Sequence, residues 1–365
     1  MVISFFSFFS IKNDKIIINN FSGKGFGDNP KYVSEYFLNK KDLKIIWIVE
    51  KFDEEMPESI FQVKKRSLKY YYHLSTSKIW LSNVRMFVPI KRKGQIYIQT
   101  WHGFGPKRIE KDVENKLSKY YVNGAKNDSA QCDLLISSSR RLTEILQNSF
   151  WYDGDILEMG SPRNDILVNT KEDFKKNIKN KYHLDLNTRY LLYAPTFRKN
   201  YDISLYYSEW DEVIKILSGR DKCKWKVLIR FHPNIMKLTK RYQNFTDEII
   251  DVSAIPDMQE LLCIADILIT DYSSSITDYL LTNKPAFLYC PDIEDYKKDR
   301  DFYFNIDKIT GRVCRTEDEL ISNIKQFDYE EYLANINKFK AEMGMIESDN
   351  ASNILARIIL EKLGQ

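Results

Sequence analysis

The segment Ala265–Cys290, ADILITDYSSSITDYLLTNKPAFLYC, decides how this chain folds. DILIT is a short apolar run of the kind that makes a buried strand, and it stops at DYSSS. SITDYLLTN then reads as a helix and PAFLY as a second strand. Two apolar strands joined through a helix make a parallel βαβ unit, because parallel neighbours need a crossover connection. The junction between strand and helix has a chemistry of its own. One Ser or Thr is enough to cap a helix, yet three stand here, Ser273, Ser274 and Ser275, after an Asp-Tyr pair. Hydroxyls and free N–H groups at the positive end of a helix suit an anion, so this loop is expected to bind phosphate. The pattern GxxxxGK[ST] is missing, which excludes a Walker loop.

The same alternation extends in both directions. Upstream, KIIINN, LKIIWIVE, KIWLSN, QIYIQT, CDLLISSS and ILEMGS read as strands, separated by helix-compatible segments such as NPKYVSEYFLNKK. A polar helix and linker follow in NTKEDFKKNIKNKYHLDLNTR, and the domain boundary is set within it. A second series begins at Tyr190 with YLLYAPTF, WKVLIRFHPN, EIIDVS, ADILITDYSSS and KPAFLYC. Helices EDELISNIKQF and ASNILARIILEKL close the chain. The expected fold is α/β, with two Rossmann-like domains, residues 1–180 and 181–365, facing a cleft. Ligands in such sheets bind beyond the carboxyl ends of the strands.

The unusual residues fall at those ends. QTWHG follows the strand QIYI, so His102 lies where an imidazole of ordinary pKa near 6.5 can take a proton from an attacking hydroxyl. The alternative is a structural histidine in a tight turn. In LIRFHPN, Arg230 and His232 are two apart and share a face, with Pro233 ending the strand. A cation and an imidazole together suit a phosphate; an ion-paired Arg230 and a core His232 are the alternative. YAPTFRKN brings Thr196, Arg198 and Lys199 to another strand end. Lys107, Arg108 and Lys111 cluster just after His102. The glycines of FSGKGFGDNPKY are not spaced as GxGxxG and are expected to form the first loop of the N-terminal domain. The remaining histidines, His73 and His183, are expected at the surface.

The chain has 365 residues, 43% hydrophobic and 29% charged, and a net charge of only +4, so the field of the whole molecule says little; no nucleic-acid partner is expected. Basic KKRSLKYYYH and KRK suit either an anionic membrane surface or a solvated helix face. The 5 cysteines are scattered without a CxxC pair, which argues against zinc and a disulfide framework and fits a reducing compartment. MVISFFSFFS is too short to span a bilayer and lacks the features of a signal peptide. A cytoplasmic protein, peripheral at the inner face of the membrane at most, is expected.

Taken in order, FSGKGFGDNPKY, QTWHGFGPKRIEKD, MGSPRND, YAPTFR, RFHPN, ITDYSSSITDYLLTNKP and YCPDIEDY resemble the CDP-glycerol glycerophosphotransferase family of teichoic-acid and capsule transferases. The resemblance covers about Lys15 to Val313. It implies the GT-B fold, with an acceptor-side N-terminal domain and a CDP-donor-binding C-terminal domain. The implied reaction moves glycerol phosphate, or ribitol phosphate, from CDP-glycerol or CDP-ribitol to an acceptor hydroxyl and releases CMP. The acceptor would be a polyol-phosphate or glycan end of a cell-surface polymer, lipid-linked or free. No tightly bound cofactor and no metal site is implied, and Mg²⁺ beside the diphosphate is compatible with the reading. The family's WHG histidine falls on His102, as general base. Its HP histidine falls on His232, at the donor phosphates. Its hydroxyl run falls on Ser273, Ser274 and Ser275, with Arg230, Thr196 and Arg198 expected beside the same phosphates. Lys107 and Arg108 would hold a phosphate-rich acceptor. This chain departs from the family's Arg-Gly pair, having Arg300 followed by Asp301, and it does not show the large extra N-terminal domain of some polymerising members, so polymerisation is left open. The alternatives are a GT-B glycosyltransferase using a nucleotide sugar, or a non-catalytic module that binds anionic polymers. A metal-dependent phosphodiesterase would need a carboxylate cluster near His102 or His232, and none is spaced for it.

Overall fold

A computed structural model describes the chain except residues 1–5, 89, 199–201, 203, 208, 233–244 and 300. Two compact units emerge. The first comprises Met1–Gly103, Ile109–Asp165 and Met343–Gln365; the second comprises Phe104–Arg108 and Ile166–Glu342.

The first unit is built on seven parallel strands: β1 Lys12–Asn19, β2 Lys44–Val49, β3 Ile60–Lys64, β4 Ser77–Ser82, β5 Ile96–Gln99, β6 Leu134–Ser137 and β7 Ile156–Glu158. Their order is β3-β2-β1-β4-β5-β6-β7. Ile16 and Ile18 face one core with Trp47, Ile79, Leu81 and Ile98, while Ile17 faces another with Ile46, Ile48, Trp80 and Tyr97. Both faces are therefore buried, which is why these strands read as unbroken apolar runs. Helix α1 (Asp28–Glu35), α2 (Lys119–Gln131) and α3 (Arg140–Ser149) belong to this unit.

The second unit repeats the plan in six parallel strands: β8 Arg189–Ala194, β9 Trp225–Ile229, β10 Ile249–Asp251, β11 Ile267–Thr270, β12 Ala286–Tyr289 and β13 Val313–Cys314. The order is β10-β9-β8-β11-β12-β13. One core face joins Leu191, Tyr193, Val227, Ile229, Ile267 and Ile269 to Trp210, Val213 and Leu217. Helix α4 (Ser275–Tyr279) follows β11 and runs on as a 3₁₀ turn, Leu280–Thr282.

The division between the units differs from a single cut at residue 180. The first unit ends at Asp165, and the last helix, α5 (Ala351–Leu363), returns to it. The reason is local. The Asp165 carboxylate accepts N–H bonds from Ala351 (2.9 Å) and Ser352 (2.7 Å) at the start of α5. Leu355, Ile359 and Leu363 then bury against the sheet core of Ile16 and Trp47. A cut by chain position assigns this helix to its sequence neighbours; its apolar face assigns it to the first unit. The short strands β3 and β13 also lie outside the expected set.

Candidate active site

In each sheet the chain order reverses beside the first strand, between β1 and β4 and between β8 and β11. Such switch points leave a crevice at the carboxyl ends of the strands. In the first unit the reversal is tied by polar side chains. Asn19 Nδ2 donates to Ser82 Oγ at 2.9 Å, and Asn83 Nδ2 donates to Asn20 Oδ1 at 2.8 Å. The N–H of Phe21 donates to Asn83 Oδ1 at 2.9 Å. All four of these Asn and Ser side chains are buried, so each bond replaces lost water.

His102 joins this network. Its Nδ1 lies 2.8 Å from the carbonyl oxygen of Asn83. A carbonyl oxygen only accepts, so Nδ1 carries the proton and Nε2 keeps its lone pair. The imidazole packs 4.1 Å from the Trp101 ring and edge-on to Phe21 at 5.6 Å. Burial lowers its pKa, opposed by the Asn83 bond and by Asp28 and Glu110, with Arg163 adding to the lowering. The result is a neutral imidazole, fixed in one tautomer, with a basic nitrogen to spare. Gly103 follows with φ of 133°, a left-handed conformation that suits glycine.

The next residues leave the first unit. Phe104–Arg108 form a strap on the second. Thr277 Oγ1 donates to the Phe104 carbonyl, and Tyr303 N–H donates to the Pro106 carbonyl at 2.7 Å. Lys107 bridges Phe302 in antiparallel fashion. Arg108 N–H donates to the Asp301 carbonyl at 2.9 Å, and its Nε lies 3.0 Å from Asp301 Oδ2. This corrects the placement of Lys107 and Arg108 in the N-terminal domain. It also gives Asp301 a partner in Arg108.

At the switch point of the second unit, the loops after β8 and β11 lock together. Asp271 accepts the Thr196 N–H with both carboxylate oxygens at 2.9 Å, and it accepts the Thr196 hydroxyl as well. Arg198 Nη1 lies 2.8 Å from Asp271 Oδ2, and its Nε lies 2.6 Å from Asp292 Oδ2. Tyr272 stacks on Tyr296 at 3.8 Å and donates its hydroxyl to Asp292 at 2.9 Å. Burial works against the charge of Arg198, but Asp271 and Asp292 outweigh it and hold its pKa above the ordinary value. Arg198 is thus a buried clamp committed to two carboxylates, not the open phosphate-binding cation that its place after β8 suggests. Asp271, Tyr272 and Asp292 complete the clamp; Asp-Tyr before the serine run is the visible trace of it in the sequence.

Beyond that clamp sit Ser273, Ser274 and Ser275. Ser275 N–H and Oγ both bond Ser273 Oγ, at 3.2 and 2.9 Å. Ser274 occupies the N-cap position without making a side-chain capping bond. Ser273 and Ser274 are half-buried, so hydroxyls remain within reach of a ligand. Beyond β9, Phe231 turns into the core while Arg230 is half-buried. Arg230 Nη2 donates to the carbonyls of Ile255 and Pro256, both at 3.1 Å, so it braces that turn. His232 is exposed and stacks on Phe197 at 5.5 Å. Lys199, Pro233 and Arg300 lie outside the described residues. His183 is exposed, and His73 is half-buried. Burial, with Lys15 and Lys69, lowers its pKa to about 4. Among the described residues no three of His, Cys, Asp and Glu come together as metal ligands, and no helix is long and apolar enough to cross a membrane.

Two Rossmann-type units, one presenting a tautomer-fixed histidine and the other a hydroxyl-lined switch point, make a fold of the GT-B type. The chain belongs to the CDP-glycerol:poly(glycerophosphate) glycerophosphotransferase family, whose model matches residues 1–361. A teichoic acid poly(glycerol phosphate) polymerase of Staphylococcus epidermidis is 33% identical over 96% of this chain, which spans 51% of that protein. A second such polymerase, from Bacillus spizizenii, is 30% identical over 97% of this chain and 93% of its own length. Among solved structures, a variant of the wall teichoic acid polymerase TagF soaked with CDPG superimposes with a TM-score of 0.85 at 30% identity, covering 100% of this chain and 93% of that one. The chain thus spans about half of the first relative and nearly all of the second.

Proposed function

We propose that this chain transfers glycerol phosphate from CDP-glycerol to a hydroxyl of a teichoic-acid-type acceptor and releases CMP. The observation that carries the reading is the His102–Asn83 bond, which leaves Nε2 as a proton acceptor at a sheet switch point. The similarity to poly(glycerol phosphate) polymerases favours glycerol phosphate as the group moved. In the proposed reaction the second unit holds the donor diphosphate through Ser273, Ser274 and Ser275, with His232 adding a donor to the phosphate oxygens. The Arg198–Asp271–Asp292 clamp keeps that loop in place, and Arg230 braces the turn beside it. An acceptor hydroxyl gives its proton to His102 Nε2 and attacks the phosphorus that bears glycerol. The bond from that phosphorus to the bridging oxygen breaks, and CMP leaves with the electron pair. Phosphoryl transfer depends chiefly on positioning and charge stabilisation, so hydroxyls, N–H groups and one base suffice from the protein. Lys107 remains an acceptor-side candidate through its charge. A lipid-linked acceptor and a peripheral contact with the inner membrane face fit the exposed Lys64, Arg66 and Lys69 beside Leu68, which is 72% exposed.

The test is CMP release from CDP-glycerol and from CDP-ribitol, with and without a glycerol-phosphate-primed acceptor, in the wild type and His102→Ala. Acceptor-dependent release from CDP-glycerol that disappears in the variant is the expected result. UDP or GDP release from a nucleotide sugar, with neither CDP donor turned over, would replace the reading with a glycosyltransferase. Release that survives His102→Ala would remove the base from the mechanism.

A further inference from the structure

We propose that Asn29, braced by the Asp28–Arg163 pair, is a positioning residue for His102: its buried amide holds the strained Trp101 backbone from which the imidazole is presented. Trp101 adopts φ of 51°, a left-handed conformation that a bulky aromatic residue rarely takes without restraint. Asn29 supplies the restraint. Its Nδ2 lies 3.1 Å from the Trp101 carbonyl and 3.4 Å from that of Thr100. Its Oδ1 accepts the Arg163 N–H at 3.1 Å, and its own N–H donates to Asp28 Oδ1 at 2.7 Å. Asn29 is 0% exposed, so no water substitutes for these bonds. Arg163 Nη1 closes the assembly on Asp28 Oδ2 at 2.7 Å, with both side chains buried.

The consequence falls on the imidazole. Trp101 Cα leads directly into His102, and the Trp101 ring forms one wall of its pocket. If Trp101 relaxed to an ordinary φ, the imidazole would leave Asn83, lose its fixed tautomer and meet water. The charged groups that face His102 are Asp28, Glu110 and Arg163, and the same Asp28 and Arg163 brace Asn29. The motifs GDNP and SPRND, otherwise without a part in the reaction, thereby act together to hold the WHG turn.

The proposal rests on His102 as base only for its kinetic arm. The test follows the His102 ring by ¹⁵N NMR in the wild type, Asn29→Ala and Asn29→Ser, with His102→Gln to assign the signal. Both variants are neutral, so any change comes from lost restraint and not from a new charge. The wild type is expected to show the Nδ1–H tautomer and a titration midpoint below the ordinary imidazole value of about 6.5. In the variants the ring is expected to turn to the Nε2–H tautomer and its midpoint to rise towards that value. CMP release should fall about 10²-fold in kcat, with the donor KM unchanged. Should Asn29→Ala not fold, Asn29→Ser, which is neutral, polar and too short to reach the Trp101 carbonyl, supplies the tautomer readout. A folded variant with the wild-type tautomer and midpoint overturns the proposal, whatever its rate. If His102→Ala itself retains turnover, the base reading fails while the tautomer result still decides the role of Asn29.

Discussion

Burial lowers the pKa of His102, while the Asn83 carbonyl, Asp28 and Glu110 push it back up, and burial is the larger. The acid limb of kcat should therefore have its midpoint below about 6.5, and His102→Ala should cost about 10²–10⁴-fold in kcat. Stability carries the same sign. A folded-state pKa below the unfolded one leaves stability whole above about pH 6.5 and removes it as pH falls towards the folded value. Thermal melts below pH 6.5 should thus drop faster for the wild type than for His102→Gln; parallel curves would mean that the ring is hydrated. Arg198 poses the opposite question, structure against ligand. As a buried clamp it should cost about 3–5 kcal/mol in urea unfolding when replaced by Met, because Asp271 and Asp292 lose their partner. Arg198→Lys keeps the charge but not the two-carboxylate geometry and should also be destabilised. An unchanged unfolding midpoint with a raised donor KM would restore the phosphate-binding role. The sequence displays a cation after a strand; it does not display carboxylates 73 and 94 positions away, so this residue was legible in place and not in role.

Strands and switch points were the most legible elements, because a strand buried on both faces writes itself as an apolar run. Ile16, Ile17 and Ile18 are all 0% exposed, and that triplet alone argues for a covered parallel sheet. Loops were harder. The strap Phe104–Arg108 follows the strand of the first unit in sequence, yet its hydrogen bonds go to Thr277, Asp301 and Tyr303 of the second. No periodicity encodes such a choice of partner. At Gly105 the strap runs close against the N-cap of α4: a Cβ there would stand 3.2 Å from Ser274 Cβ and 3.3 Å from Ser274 Cα. The second of these is backbone, so the serine loop itself must yield. Gly105→Ala is expected to raise the KM for CDP-glycerol several-fold, on the order of 1 kcal/mol of lost positioning, while the tautomer of His102 stays as in the wild type. An unchanged donor KM would separate the serine run from donor binding.

At the scale of the whole chain, the segment order differs from the order of the units. The tail helix α5 comes last in sequence but completes the core of the first unit, where Ile359 is 0% exposed beside Ile16, Trp47 and Ile79. Helical spacing in ASNILARIILEKL announces an apolar face; only the Asp165 cap and the facing sheet say which core it fills, and both are remote in sequence. A full-length Ile359→Ala variant tests that assignment. Removing a buried branched side chain from a packed core costs about 2–5 kcal/mol. If α5 belongs energetically to the first unit, hydrogen exchange should quicken by that amount in peptides over Lys12–Asn19 and Lys44–Val49. Peptides over Arg189–Ala194 and Ile267–Thr270 should keep their protection. The contrast is informative because the first six strands of each sheet follow the same order, so a general loss of stability would weaken both alike. Equal loss in the two sets would mean that the chain opens as one cooperative body, and the boundary at Asp165 would then describe packing without describing energy.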